Sequence, residues 1–275
     1  PTVPPMLAAA MMKIPSAVHE QNAVLGRANK MLMSRVDAIA TSFEDVGGLE
    51  SAAGKVRFTG NPVRDNVIAA SHIPYRAPEL GGPYDILVFG GSQGASFFAD
   101  AVPRALASFG PEHAAAFHVM QQARVEDIGR VAAAYAAAGI RAEVSEFFAD
   151  LPQRIAKAHL VIGRAGASTT AELTVIGRPS ILVPLPHALD SDQLNNARRL
   201  QASGAALLAE QKDLTEDRLA MELQRMLEQP GRLAAMALSA KRIGRPDAVV
   251  RLADLAEELM GQRAGVGQRT GVQPA

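Results

Sequence analysis

Two glycine-rich segments carry the residues best suited to chemistry: Phe89-Gly90-Gly91-Ser92-Gln93-Gly94-Ala95 and Gly163-Arg164-Ala165-Gly166-Ala167-Ser168. Glycine lets the backbone approach an anion closely, and the N–H groups and partial positive charge of a helix N-terminus stabilise that anion. A pair of such turns makes a site for the diphosphate and ribose of a nucleotide. In the first, the Ser92 hydroxyl adds a donor. Its spacing is GGxxG and not GxGxxG, and the next strand ends in Met120-Gln121-Gln122 with no acid for a ribose, which disfavours a nicotinamide cofactor. It also lacks the Gly-Lys-Ser/Thr ending of a P-loop. The second turn leads into Thr169-Thr170-Ala171-Glu172, placing a carboxylate in the first turn of the following helix. Two readings of Glu172 stay open: it accepts hydrogen bonds from both ribose hydroxyls, or it closes a Thr169-x-x-Glu172 capping box on its own helix.

Other polar clusters are less specific. Asp190-Ser191-Asp192 has the DxD spacing of a metal motif, but it opens a helix carrying Gln193, Asn195 and Asn196, and N-capping accounts for it, so no metal site is expected. His187, in Pro184-Leu185-Pro186-His187, reads as a surface loop residue. His19-Glu20-Gln21-Asn22 and Asn61-Pro62-Val63-Arg64 each follow a strand, at the end where open α/β sheets bind ligands. Arg64 suits a diphosphate by its forked donors, although each segment also reads as a loop with solvated charge.

The hydrophobic pattern sets the elements that hold these residues. Over 84–245 short apolar strands at 86–89, 116–120, 142–144, 160–162 and 180–183 alternate with helices at 96–108, 125–138, 151–158 and 169–176. Strands that lack period-two alternation and are separated by helices specify a parallel sheet covered on both faces, a doubly wound α/β domain. Residues 1–64 hold βα units too few to close a core of their own. Residues 65–83, with Pro74, Pro78, Gly81, Gly82 and Pro83, suit a linker. A final helix is expected at 246–261, packing back on the N-terminal domain, and 262–275 reads as a disordered tail.

Composition narrows the function classes. Lys and Arg number 28 against 28 Asp and Glu, a net charge of zero, and no basic run marks a nucleic-acid partner. Cysteine is absent, which rules out disulfides and thiolate zinc sites and fits a reducing cytoplasm. Apolar stretches fall far short of the roughly 18 residues of a spanning helix, and no signal peptide is evident. The opening Pro1-Thr2-Val3-Pro4-Pro5 reads as a cut start.

Taken together, His19-Glu20-Gln21-Asn22, Gly60-Asn61-Pro62-Val63-Arg64, Gly90-Gly91-Ser92-Gln93-Gly94-Ala95, Glu146-Phe147-Phe148, Arg164-Ala165-Gly166-Ala167 with Glu172, and Asp192-Gln193-x-x-Asn196-Ala197 resemble the MurG family. Its members are the peptidoglycan N-acetylglucosaminyltransferases that turn lipid I into lipid II, and the matches run in order over residues 14–260. The resemblance implies a GT-B fold of two Rossmann-like, doubly wound parallel-sheet domains facing across a cleft, the N-terminal one incomplete, with UDP-N-acetylglucosamine held mainly by the C-terminal one and no cofactor. By motif, Ser92 and Arg64 would meet the diphosphate, Gln93 would belong to the substrate-binding residues, Phe148 would border the uracil, and Glu172 would hold the ribose, which tips that residue toward ligand. Ala167, Ser168, Thr169, Thr170 and Ala171 would bring helix amides to the phosphates, Gln193 and Asn196 would read the sugar, and Asn22 would reach in from the other domain.

The implied reaction is inverting transfer of N-acetylglucosamine to the C4 hydroxyl of undecaprenyl-pyrophosphoryl-MurNAc-pentapeptide, at the cytoplasmic face of the bacterial inner membrane, on a peripheral enzyme that meets an anionic lipid surface. The family's glycine-rich loop with its histidine, the presumed base, and its apolar membrane-facing patch are not found here. About half of a Rossmann-like domain is expected to be missing at the N-terminus. Two other expectations stand beside this one: a truncated, inactive fragment that only binds UDP-sugar, and a GT-B enzyme with another acceptor or a UDP-sugar epimerase.

Overall fold

A computed structural model of the chain describes residues 2–186 and 190–267, except the side chains of 91–95 and 262–267. The chain divides into two compact units, Pro1–Val63 with Arg245–Ala275, and Arg64–Gly244. The smaller begins with α1 (Val3–Met11), β1 (Ala17–Glu20), α2 (Arg27–Leu32), β2 (Ala38–Thr41) and β3 (Val56–Phe58), whose strands form a parallel sheet in the order β1-β2-β3. The larger continues with α3 (Asp65–Ala70), β4 (Tyr84–Phe89), α4 (Gly91–Ala107), α5 (Pro111–Ala114), β5 (Phe117–Gln122), α6 (Val125–Ala137) and β6 (Arg141–Ser145). It is completed by α7 (Leu151–Lys157), β7 (Leu160–Gly163), α8 (Ala167–Ile176), β8 (Ser180–Leu182), α9 (Asp192–Ala202), β9 (Ala206–Leu208), α10 (Glu216–Leu227) and α11 (Pro230–Ile243). The last helix, α12 (Ala248–Gly267), belongs to the smaller unit.

All pairings in the larger unit's six-stranded sheet are parallel, in the order β6-β5-β4-β7-β8-β9. Ile86, Leu87 and Val88 are all fully buried, because both faces of β4 are covered along that stretch. On one face Ile86, Val88, Val119 and Ile162 pack with Phe98, Val102, Leu219 and Leu223 from the flanking helices. In the smaller unit β2 divides its side chains by size. Ile39 joins Leu32, Val36 and Leu49 on one side, while Ala38 and Ala40 admit Leu255 and Leu259 of α12 on the other.

Several expectations change. Residues 65–83 are not a free linker: α3 packs on α7 and α8, and the segment after it is fastened to the larger unit. Arg178, 1% exposed, donates to the carbonyls of Ile73, Ile176 and Gly177 at 2.9–3.0 Å and to that of Ala156, and burial lowers its pKa to about 10. The Tyr75 hydroxyl donates to the His159 carbonyl at 2.9 Å. Proline and glycine here make a strap without regular structure but with fixed anchors. The strand β9, Ala206-Leu207-Leu208, is not legible in the sequence because three residues without β-branching carry no period. The final helix runs to Gly267, through residues expected to belong to the tail, and residues 268–275 lie outside the described set. Among the described residues no helix is long and apolar enough to cross a membrane.

Candidate functional site

Chain order reverses between β4 and β7, which lie side by side with Phe89 in register with Gly163. Both glycine turns therefore leave the same carboxyl edge at the point of reversal, the crevice in which open α/β sheets take ligands. Gly163 must be glycine, since a Cβ there would lie 2.9 Å from the Phe89 carbonyl oxygen. Each turn opens a helix whose N-cap is a glycine, with no side chain of its own to cap it: α4 follows Gly90, and α8 follows Gly166 in extended backbone (φ −63°, ψ 154°). The first α8 bond runs from Thr170 N–H to the Gly166 carbonyl at 2.9 Å, so the N–H groups of Ala167, Ser168 and Thr169 precede the helical ladder. Ser168 is exposed, and Ala167, Thr169 and Ala171 are half-buried. Thr170 is buried, and its hydroxyl turns back onto the carbonyls of Gly166 and Ala167.

Because α8 starts at Ala167, Glu172 is its sixth residue and lies beyond the first turn. The capping box is not formed: the N-cap is Gly166, not Thr169. The Glu172 carboxylate instead meets Arg64 Nη2 at 3.1 Å. Arg64 is the residue before α3, and the packing of α3 on α8 brings the two together across 108 positions of sequence.

Beneath the turns other side chains set their shape. Arg164 Nη1 donates to the carbonyls of Val183 and Pro184 at 3.1 Å, and Nη2 to Gln211 Oε1 at 2.7 Å. Its guanidinium lies 5.0 Å from the Phe98 ring centre, and burial lowers its pKa to about 10, so it stays charged at neutral pH. Asn196, expected to read the sugar, is fully buried and donates from Nδ2 to the Ala165 carbonyl at 3.0 Å, which ties α9 to the second turn. Gln193 is half-buried, and its Oε1 accepts the Leu185 N–H at 3.0 Å. N-capping does not account for Asp190-Ser191-Asp192: Ser191 is the N-cap with a positive φ of 50° and makes no side-chain cap, while Asp192 Oδ1 accepts the Gln193 N–H at 2.8 Å.

The two adjacent aromatic residues differ in exposure. Phe148 is 5% exposed, with the Arg154 guanidinium 4.2 Å from its ring centre, whereas Phe147 is 70% exposed. An aromatic pair after a strand is visible in the sequence; which ring turns outward depends on how α7 packs. The side chains of Ser92 and Gln93 and the whole of His187 lie outside the described residues.

At the carboxyl edge of the smaller sheet the polar residues bond largely to one another. Glu20, 3% exposed, accepts the Asn22 N–H at 3.0 Å and the Asn22 side-chain amide at 3.5 Å on Oε1. Its Oε2 accepts the Gly26 N–H and the Asn29 amide, both at 2.8 Å. His19 Nε2 lies 3.1 Å from the Gly60 carbonyl and 3.2 Å from Ser42 Oγ, and burial lowers its pKa. Gly60 has φ +84°, and a Cβ there would lie 2.6 Å from Arg245 Cβ. In the smaller unit Met11, Met12 and Met31 are 86%, 71% and 56% exposed.

The profile of the glycosyltransferase family 28 C-terminal domain matches residues 85–252, and that of the glycosyltransferase family 28 N-terminal domain matches residues 1–41. The chain is 52% identical over 260 residues to the UDP-N-acetylglucosamine--N-acetylmuramyl-(pentapeptide) pyrophosphoryl-undecaprenol N-acetylglucosamine transferase of Methylobacterium sp. (strain 4-46), covering 94% of this chain and 70% of that relative. Among solved structures, Acinetobacter baumannii MurG superposes with a TM-score of 0.77 at 29% identity, over 93% of this chain and 71% of that one. The UDP-GlcNAc 2-epimerase from Neisseria meningitidis, solved with UDP-GlcNAc bound, is similar in fold alone, with a TM-score of 0.64 at 14% identity over 95% of this chain and 73% of that one.

Proposed function

The chain belongs to the MurG family within glycosyltransferase family 28, has its GT-B fold, and from that membership we propose that it converts lipid I to lipid II. It transfers N-acetylglucosamine from UDP-N-acetylglucosamine to the C4 hydroxyl of undecaprenyl-pyrophosphoryl-MurNAc-pentapeptide. The observation that carries the donor assignment is the juxtaposition of two glycine-capped helix starts with the Arg64–Glu172 pair.

In this reading the diphosphate lies against the N–H groups that open α4 and α8, with Arg64 beside it, and Glu172 holds the ribose diol. Ser92 and Gln93 belong to the first of those turns. The uracil lies by the Glu146-Phe147-Phe148 segment against the exposed Phe147 ring, and Phe148 supports it from below. Gln193 orients the sugar, and Asn196 acts through the turn it holds. The acceptor hydroxyl attacks the anomeric carbon from the face opposite the leaving group and gives its proton to a general base, the bond from that carbon to the diphosphate oxygen breaks, the configuration inverts, and UDP departs. Charge grows on the departing diphosphate, where fixed amide dipoles and a guanidinium stabilise it more than in the ground state.

The acceptor is anchored in a bilayer, so the enzyme works at its surface. We assign that contact to the smaller unit, at Met11, Met12 and Met31 with the neighbouring cations Lys13, Arg27, Lys30 and Arg35, a chemistry suited to the anionic cytoplasmic leaflet.

Incubation of the chain with radiolabelled UDP-N-acetylglucosamine and lipid I in vesicles tests the reading. Label in a lipid-extractable product is the expected outcome. Donor binding by calorimetry without any such product would reduce the function to donor binding, and no donor binding would overturn the site as well.

A further inference from the structure

Arg64 and Glu172, both in the larger unit, form an ion pair whose two ends differ. The carboxylate side chain is 12% exposed and the guanidinium side chain 64% exposed. A carboxylate held away from water needs a donor or a cation to offset its lost hydration, and here Arg64 supplies it. The guanidinium stands on a long stem just before α3 and can swing without unpacking that helix.

The donor site proposed above, on which this inference rests, assigns each group a different part of the substrate. We propose that donor binding exchanges partners: Arg64 leaves Glu172 for the diphosphate, and the two ribose hydroxyls replace it on the carboxylate. The pair then sets specificity. A ligand with a ribose but no diphosphate must displace Arg64 and gives it no new partner, whereas a nucleoside diphosphate provides one. The site thus selects against uridine by more than the absence of phosphate contacts.

The exchange makes a prediction of opposite sign for two ligands. If Arg64 only bound phosphate, its removal would leave uridine affinity unchanged; if it only held Glu172 in shape, removal would weaken both ligands. Under exchange, removal weakens UDP-N-acetylglucosamine and tightens uridine.

Calorimetry on the full chain with uridine and with UDP-N-acetylglucosamine decides among these, using Arg64→Ala and, to keep the aliphatic stem, Arg64→Met. The expected result is uridine binding about three- to tenfold tighter in both variants, the range of a partly exposed ion pair. UDP-N-acetylglucosamine binding should weaken by about tenfold or more. Added salt should tighten uridine on the unmodified protein and not on the variants, because it screens the pair that uridine must break. Uridine affinity that is unchanged or lower in both variants, with donor binding intact in the unmodified protein, overturns the exchange alone. Failure of the unmodified protein to bind UDP-N-acetylglucosamine overturns the donor site and the exchange with it.

Discussion

Glu20 and Glu172 are both buried carboxylates near the carboxyl edge of a parallel sheet, one in each unit, and they are used in opposite ways. Glu20 takes donors from Asn22, Gly26 and Asn29, all within ten residues of chain, so its oxygens organise their own loop. Glu172 pairs with a largely exposed guanidinium 108 residues away. A carboxylate saturated by backbone and amide donors is part of the scaffold, since removing it strands those donors. A carboxylate paired with one mobile cation can change partner without unfolding anything. Burial and charge alone would not separate the two; the partners do.

The largest effect expected from this contrast is on the scaffold side. Glu20→Ala should lower unfolding stability by about 3 kcal/mol, because several half-buried donors lose their one carboxylate acceptor. Chemical denaturation measures it, and a loss below about 1 kcal/mol would mean that the loop stands without its carboxylate. Glu172→Gln should leave stability within about 1 kcal/mol of the unmodified protein while weakening UDP-N-acetylglucosamine by about tenfold or more. A stability loss as large as that of Glu20→Ala would erase the distinction between the two residues. A smaller and split effect is expected at the aromatic pair. Phe147→Ala should weaken the donor by about 1 kcal/mol without changing stability. Phe148→Ala, whose ring is buried, should act on stability first.

The smallest expected effect concerns pH. Burial lowers the pKa of His19, so the unfolded chain takes up its proton at a higher pH than the folded one does. The His19 contribution is therefore fully present above about pH 6.5 and declines as the pH falls below that value. In His19→Gln the decline of stability between about pH 7 and 5 should be shallower. An identical slope would show that the Gly60 carbonyl and Ser42 hydroxyl hold the ring equally well when it is charged.

Much of this could be read from the sequence, because the features concerned are local. The run Ile86-Leu87-Val88-Phe89 announces a strand buried on both sides, and Gly90-Gly91 marks where the backbone must turn sharply into a helix. α8 starts two residues before the expected 169, since Ala167 and Ser168 have no strong preference for turn over helix. That small shift removes the capping-box reading of Glu172, which needs Thr169 at the N-cap. The segment 65–83 differs from a linker for another reason: it opens with α3, and the proline and glycine that follow show that a segment is irregular, not whether it is anchored.

The sequence by itself determined the alternation of strand and helix, the two places where amides gather, and the family to which their motifs belong. Those depend on steric limits and hydrogen bonding within a few residues, so the local residue types suffice. Only the tertiary structure decided that Arg64 reaches Glu172, that Phe147 and not Phe148 faces outward, and that Asn196 holds a turn. Each of these depends on which surfaces are buried against which, a property of long-range packing that no local window of sequence contains.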